Sequence, residues 1–385
     1  MQVKAFNGLN NVGDTLGLGL SWLKVAENIN ITATGKIERR DGFAQFRAGV
    51  IPAGGAYTTE DFERGYYVDA GALKTFEGVT LRTGLTAAPM YWAEINGQVF
   101  YSNGTDSGII QADNTLMAWA WAAPSSPTLA AVTGSLAAGL YQVRCTFTLA
   151  DGRETGPGDT VELVLVGGQA LQISAIPQLA GAATNVYIAP ADSTVFQFAG
   201  SPTGTAMVWN QSPDNLGADM LTFDAYPLPP GCDVIQNWRG RIYVALYDAP
   251  NDQTVVWSSQ ALGFHLFNLA SDFFTLPGRV LMLAPHALGL VIGSNQAIHA
   301  YDGTTITQLA SYGVVPGQHW DEDEDRLVFW TARGLCAALP FANLTEKHLS
   351  VPPGLNAGGA VLQSGGATRY VVALQKGGAA FNSRT

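Results

Sequence analysis

Residues 237–259 read NWRGRIYVALYDAPNDQTVVWSS. Within this stretch, residues 241–247 form a run of β-branched, aromatic and small residues, Pro250-Asn251-Asp252 supplies turn chemistry, and residues 254–258 form a second such run. Two strands joined by a tight reversal make the middle of a β-propeller blade. Weaker copies of the unit, a Gly-led hydrophobic strand, a turn and a partner strand, recur on both sides.

Downstream, residues 288–292, 297–301 and 305–309 read as strands joined by Ser294-Asn295 and Asp302-Gly303 turns. Residues 326–331 and 334–339 form a pair across Ala332-Arg333, and residues 369–374 are expected to pair with 379–381 across Lys376-Gly377-Gly378. The strands holding Ile242, Leu290, Leu327 and Tyr370 recur every 37 to 48 residues, the period of a four-stranded blade. Upstream, residues 66–69, 72–76 and 79–82 are punctuated by Gly71 and Gly78, giving three strands of one blade. Residues 90–95 and 98–102 flank Asn96-Gly97, a pair that tolerates the positive φ of a type I′ hairpin turn. The run 116–121 is expected to close that unit. Residues 1–25, with Gly8, Gly13, Gly17 and Gly19, read as an extended arm that completes the first blade, followed by a hairpin over 28–43.

Between Pro127 and Pro230 the rhythm changes. Residues 139–149 alternate strictly, with Tyr141, Val143, Cys145, Phe147 and Leu149 on one face and Gln142, Arg144, Thr146 and Thr148 on the other. Asp151-Gly152 turns the chain, and strands follow at 160–166, 170–173, 184–189 and 195–199. About seven short strands in about 100 residues resemble an immunoglobulin-like or fibronectin III-like sandwich. The expected fold is therefore all-β: a β-propeller of roughly six or seven blades interrupted by an Ig-like or fibronectin III-like sandwich. The arm and first part of the propeller occupy 1–126, the insert 127–230, and the remainder 231–385.

Composition narrows the function. Charged residues make up 13% of the chain and the formal net charge is −11, which argues against holding nucleic acid through neutralised phosphates. Cys145, Cys232 and Cys336 lie far apart in no metal-ligand spacing, so a reducing compartment fits and neither a disulfide framework nor zinc is expected. The first 28 residues lack a secretory pattern. Nor does any apolar run approach the roughly 20 residues of a membrane span.

The chemistry-bearing groups are scattered. Asp321-Glu322-Asp323-Glu324-Asp325 is dense in carboxylates but lacks the spaced pattern of a calcium loop, so it reads as a solvated loop between blades. His265, His286, His299, His319 and His348 carry no catalytic signature, with His299 a packed or edge residue in a strand. Ser258-Ser259 lacks the glycines of a nucleophile elbow. Arg39-Arg40, beside Glu38 and Asp41, reads as surface ion pairing rather than a phosphate site. Trp119, Trp121, Trp209, Trp257, Trp320 and Trp330 read as packing, with one or two at an interface. No catalytic, cofactor-binding or metal-ligating residue is assigned, and no enzyme activity or cofactor is expected.

Residues 28–43, NINITATGKIERRDGF, an Asn-rich strand followed by Thr-Gly-Lys and an Arg-Arg-x-Gly turn, resemble the N-terminal segment of bacteriophage and prophage virion proteins. RGRIYVA, VVWSS, FHLFN and GLVIGSNQAIHAYDG look like that group's successive blade strands. The resemblance spans most of residues 20–310. It implies a structural component of the tail hub or nozzle of a short-tailed phage, assembled in the host cytoplasm and resident in the virion tail. It also implies a homo-oligomeric ring with sixfold order favoured, adaptor or fibre proteins as neighbours, and transient passage of DNA without specific binding. The chain is short for a nozzle, leaving little room for a tube-forming platform domain. A reading from a different class is a host-surface carbohydrate-binding or glycan-cleaving propeller; Ser-x-Asp-x-Gly-x-x-Trp boxes of the sialidase type do not occur.

Overall fold

The computed structural model describes residues 4–14, 16–32, 34–40, 42, 55–323, 325–364 and 367–375. The chain is all-β. An N-terminal unit contains β1 (Gly8–Leu9) parallel to β2 (Trp22–Leu23) and the hairpin of β3 (Ile29–Ile31) with β4 (Ile37–Arg39). Sheet I is β5 (Ala56–Thr58), β6 (Gly65–Asp69), β7 (Ala72–Thr75) and β8 (Thr80–Arg82); sheet II is β9 (Tyr91–Ile95), β10 (Gln98–Ser102), β11 (Ser107–Ile110) and β12 (Leu116–Met117). Then come β13 (Thr128–Leu136), β14 (Gly139–Leu149), β15 (Val161–Leu165), β16 (Gln169–Ser174), β17 (Ala182–Ala189), β18 (Gln197–Gly200) and β19 (Met207–Trp209). They form two sheets, β13-β16-β19 and β15-β14-β17-β18.

Sheet III follows as β20 (Val234–Trp238), β21 (Arg241–Asp248), β22 (Gln253–Ser258) and β23 (Phe273–Pro277). Sheet IV is β24 (Val280–Ala284), β25 (Leu290–Ser294), β26 (Ile298–Tyr301) and β27 (Ile306–Ala310). Sheet V is β28 (Trp320–Asp323), β29 (Arg326–Thr331), β30 (Gly334–Ala338) and β31 (Ala342–Asn343), and sheet VI pairs β32 (Asn356–Ser364) with β33 (Ala367–Gln375). Within sheets I to V each strand lies beside the next in sequence, the up-and-down order of a propeller-like fold.

Strand β21 shows why its sequence is apolar throughout rather than alternating. Ile242 and Val244 enter a core shared with sheet II, while Tyr243 and Ala245 enter one shared with sheet IV. Strand β10 does the same, with Val99 and Tyr101 toward sheet I and Phe100 toward sheet III. In sheet V, Leu327 and Phe329 face sheet IV while Trp330 faces sheet VI. The central strands of sheets II to V thus feed two cores each, and the six sheets pack in chain order.

Several expectations change. The first sheet is completed by β5, not by the N-terminal arm, because residues 56–58 pair with β6. The run 116–121 is strand only over Leu116–Met117, and β11 stands between it and β10. FHLFN forms no strand: only Phe267 makes bridges, to Tyr226 and Ser259, and Phe264 and Phe267 pack on Trp119 instead. Strand β33 pairs with β32, whereas residues 376–381, like Phe43, lie outside the described residues. Asn96 (φ 52°) and Gly97 (φ 73°) do form the left-handed turn.

The two sheets between 128 and 209 enclose one core, in which Tyr141, Val143 and Cys145 meet Leu171, Ile173, Val186 and Trp209. The other face of β14 is covered too, since Arg144 stacks on Phe223 at 4.6 Å and donates to its carbonyl. This unit is seated firmly. Arg153 donates to the Ala118 carbonyl, His265 Nε2 donates to the Glu154 carbonyl (2.8 Å), and Tyr226 exchanges backbone hydrogen bonds with Phe267. A Cβ at Gly156 would lie 2.1 Å from the Ala225 carbonyl oxygen. Gly156→Ala is therefore expected to lower stability by about 1–3 kcal/mol, read by urea unfolding. Gly204→Ala, whose added methyl meets nothing within 4 Å, should stay within about 0.5 kcal/mol.

Candidate functional site

In a propeller-like fold the first place to look is where the leading strands of successive sheets converge. Strands β9, β20 and β24 lie side by side, and with Trp320 of β28 they surround a remnant cavity of about 10 Å³. Its walls include Tyr91, Gln236, Leu281 and Trp320. A void of this size is at the lower limit for one water molecule. Burial raises the Tyr91 phenol well above its ordinary pKa, and its hydroxyl reaches only the Leu281 carbonyl at 3.5 Å. The convergence point is plugged by side chains.

The acidic run does something its composition did not suggest. Residues 320–323 are strand β28, antiparallel to β29, rather than a solvated loop. The Asp321 carboxylate accepts the Val361 N–H at 2.7 Å and the Glu322 N–H at 2.8 Å. Ala357 N–H and Gly359 N–H donate to the carbonyls of Pro316 and Gln318, so residues 316–321 run alongside β32 and Asp321 ends that ladder. Asp323 pairs with Arg326 at 3.0 Å. Glu324 lies outside the described residues. Among the described residues no group of three His, Cys, Asp or Glu side chains is placed to hold a metal ion.

The histidines are dispersed through the packing. His319 is fully buried: its Nδ1 accepts the Trp330 N–H, so Nε2 carries the proton and donates to the Val315 carbonyl at 2.7 Å. The same residue's carbonyl accepts the Tyr370 hydroxyl, tying sheet VI to the start of sheet V. Burial pulls the His319 pKa down to about 4. His286 bonds to the Asp325 carbonyl, His299 packs inside β26 with its pKa lowered by burial, and His348 stacks on Trp22. Ser259 is fully buried and its hydroxyl joins the Ile242 N–H to the Gln260 carbonyl. No base is bonded to it among the described residues. Arg39 ends β4 at the exposed end of the N-terminal hairpin, and Arg40 N–H bonds to the Asn28 carbonyl.

A cleft of about 310 Å³ is bounded by Val68, Leu85, Pro89 and Met90 with Gly71 and Thr86. Its one polar neighbour is already engaged, because Thr86 donates both N–H and O–H to Asp106 at 2.8 Å. Burial pushes the Asp106 carboxyl up, but these bonds, Asn103 and the Arg82 guanidinium outweigh it and hold the pKa below its usual value. All three cysteines are buried; desolvation pushes the Cys145 thiol up to about 12 and also raises Cys232 and Cys336, so none is a reactive thiolate. None of the nine tryptophans is exposed. Trp119 and Trp330 donate to the carbonyls of Phe264 and Pro353, Trp209 fills the sandwich core, and Trp257 bonds to the Leu269 carbonyl.

No protein-family model matches the chain, and no curated protein matches it. Among solved structures, it is similar to a candidate dipeptidyl aminopeptidase IV from Bacteroides ovatus, with 10% identity over 83% of this chain and 43% of that one and a TM-score of 0.24. It is also similar to PorZ, an essential bacterial surface component of the type-IX secretion system of Porphyromonas gingivalis, with 14% identity over 80% of this chain and 50% of that one and a TM-score of 0.22. The chain spans half or less of the length of these two structures.

The His319 geometry makes stability depend on pH. Its folded pKa lies below the unfolded value near 6.5, so the unfolded chain takes up a proton first as pH falls. The His319 contribution is fully present above pH 6.5 and is lost progressively down to about pH 4, amounting to about 3 kcal/mol. His265 and His299, also lowered by burial, act in the same direction. Urea unfolding between pH 4 and 8 should show this slope, and His319→Gln should be less stable at pH 7 yet shallower below 6.5.

Proposed function

We propose that the chain is a structural subunit of a bacteriophage tail, a hub or nozzle component, in which the six sheets are the blades of one propeller. The unit between Thr128 and Trp209 is then an Ig-like or fibronectin III-like insert between the second and third blades. The observation that carries this reading is the plugged convergence of β9, β20, β24 and β28, in sheets whose central strands are buried on both faces. Such a body is a stiff block with little open space between these four strands. It fits a building element better than a catalyst, and the resemblance of residues 28–43 points to the virion.

The plug also says where a conduit must run. DNA, about 20 Å wide, cannot pass through a cavity of about 10 Å³, so the passage would lie between copies, down the centre of a ring. A net charge of −11 would keep the phosphate backbone from adhering to its wall. The glycan-binding alternative finds less support, because five of the nine tryptophans that could serve as sugar-stacking faces are buried and the other four are half-buried. Electron-microscopy reconstruction of particles containing this chain should show a closed ring of copies on the tail axis, sixfold by preference. A peripheral monomer on the particle, joined to loss of glycan binding or cleavage when one surface carboxylate pair is replaced, would sink the structural reading.

A further inference from the structure

The N-terminal unit differs from the body in two independent ways. It exposes large aliphatic side chains: Val12 is 50% exposed, Leu16 95%, Leu20 61% and Val25 71%, all within fourteen residues. Isolated exposed aliphatics are ordinary, but four within fourteen residues of one small unit make it the kind of apolar surface that an assembled state would cover. It is also basic in an acidic protein. Residues 4–40 hold five Lys and Arg against three Asp and Glu, a charge of +2, which leaves fifteen against twenty-eight, or −13, for the rest of the chain. Lys4, Lys36 and Arg39 are exposed.

The unit is internally braced. Phe6 N–H donates to the Gly35 carbonyl at 2.8 Å, Asn7 N–H to Ser21 at 2.8 Å, and Asn10 N–H to Leu23 at 2.7 Å, so arm and hairpin form one piece. Its attachment to the body is a polar clasp. Asn11 donates its N–H to the His348 carbonyl (3.0 Å) and its amide to the Ser350 carbonyl (2.9 Å), and accepts the Ser350 N–H (2.7 Å), while Trp22 stacks on His348 at 5.0 Å. The clasp uses polar edges and one ring, and the four aliphatic side chains stay exposed.

We infer that residues 4–40 are the interface element between copies, docking their Val12, Leu16, Leu20 and Val25 patch and the basic hairpin onto the acidic body of a second copy. The choice of a second copy rests on charge complementarity: a +2 unit meets a body of net charge −13 in any neighbour of the same kind, which draws the two together at long range and is weakened by salt. A unit on one subunit and a different surface on the next is a heterologous contact, the kind that closes rings. The inference deepens the ring reading above and rests on it.

Sedimentation of the full chain across concentration and salt tests it. Wild type is expected to self-associate, and raising NaCl from 50 to 500 mM should weaken association about tenfold. Leu16→Asp with Leu20→Asp, and separately Lys36→Glu with Arg39→Glu, should each raise the concentration for half-assembly at least tenfold, with the urea midpoint unchanged. If the aspartate pair does not fold, the charge-reversal pair carries the test. Variants that assemble like wild type overturn the interface and leave the tail reading intact. A wild-type chain that stays monomeric at 100 μM also overturns it, and the tail reading is then decided by the particle reconstruction, which is independent of the arm.

Discussion

The structure depends on strands that are apolar on both sides. Ile242 and Val244 point one way and Tyr243 and Ala245 the other, each pair into a separate core. Burying such a side chain is worth roughly 1.5–3 kcal/mol, and the central strands of sheets II to V contribute to two cores at once. Losing a sheet would therefore expose both neighbours. The sheets stand or fall together, although each is formed by residues local in sequence.

That two-sided burial constrains what the protein can do. Leading strands β9, β20, β24 and β28, pressed together around Tyr91, Gln236, Leu281 and Trp320, leave only a void of about 10 Å³ between them. The groups that could have carried chemistry are spent on architecture: His319 and Tyr370 join two sheets, Asp321 ends a ladder, and Ser259 bridges two backbone groups. Surface and loops are what such a body can offer to partners.

Much of this was legible in the sequence where a strand is bracketed by its own turn. Strands β14, β21, β22, β29 and β30 and the Asn96-Gly97 hairpin carry local signals, and the structure places them within a residue or two of expectation. The leading strands β20, β24 and β28 were not foreseen. Each pairs with one strand of its own sheet but also packs against strands of other sheets, and the first acid of β28 caps an N–H forty residues downstream. FHLFN shows the opposite error: Phe264 and Phe267 are apolar because they pack on Trp119 from an irregular segment, and apolarity alone cannot tell that from a strand. The roles of His265, His286 and His319 were invisible for the same reason, since their partners are backbone groups that any sequence supplies.

The clasp at Asn11 joins residues 339 apart in the chain. At ribosomal rates of about 5–20 residues per second, the Ser350 end is made roughly 20–70 seconds after Asn11. During that interval the N-terminal unit is already synthesised while its own docking place does not yet exist. The clasp can close only once nearly the whole body has been made, so the first part of the chain to be synthesised is among the last to be fixed in place.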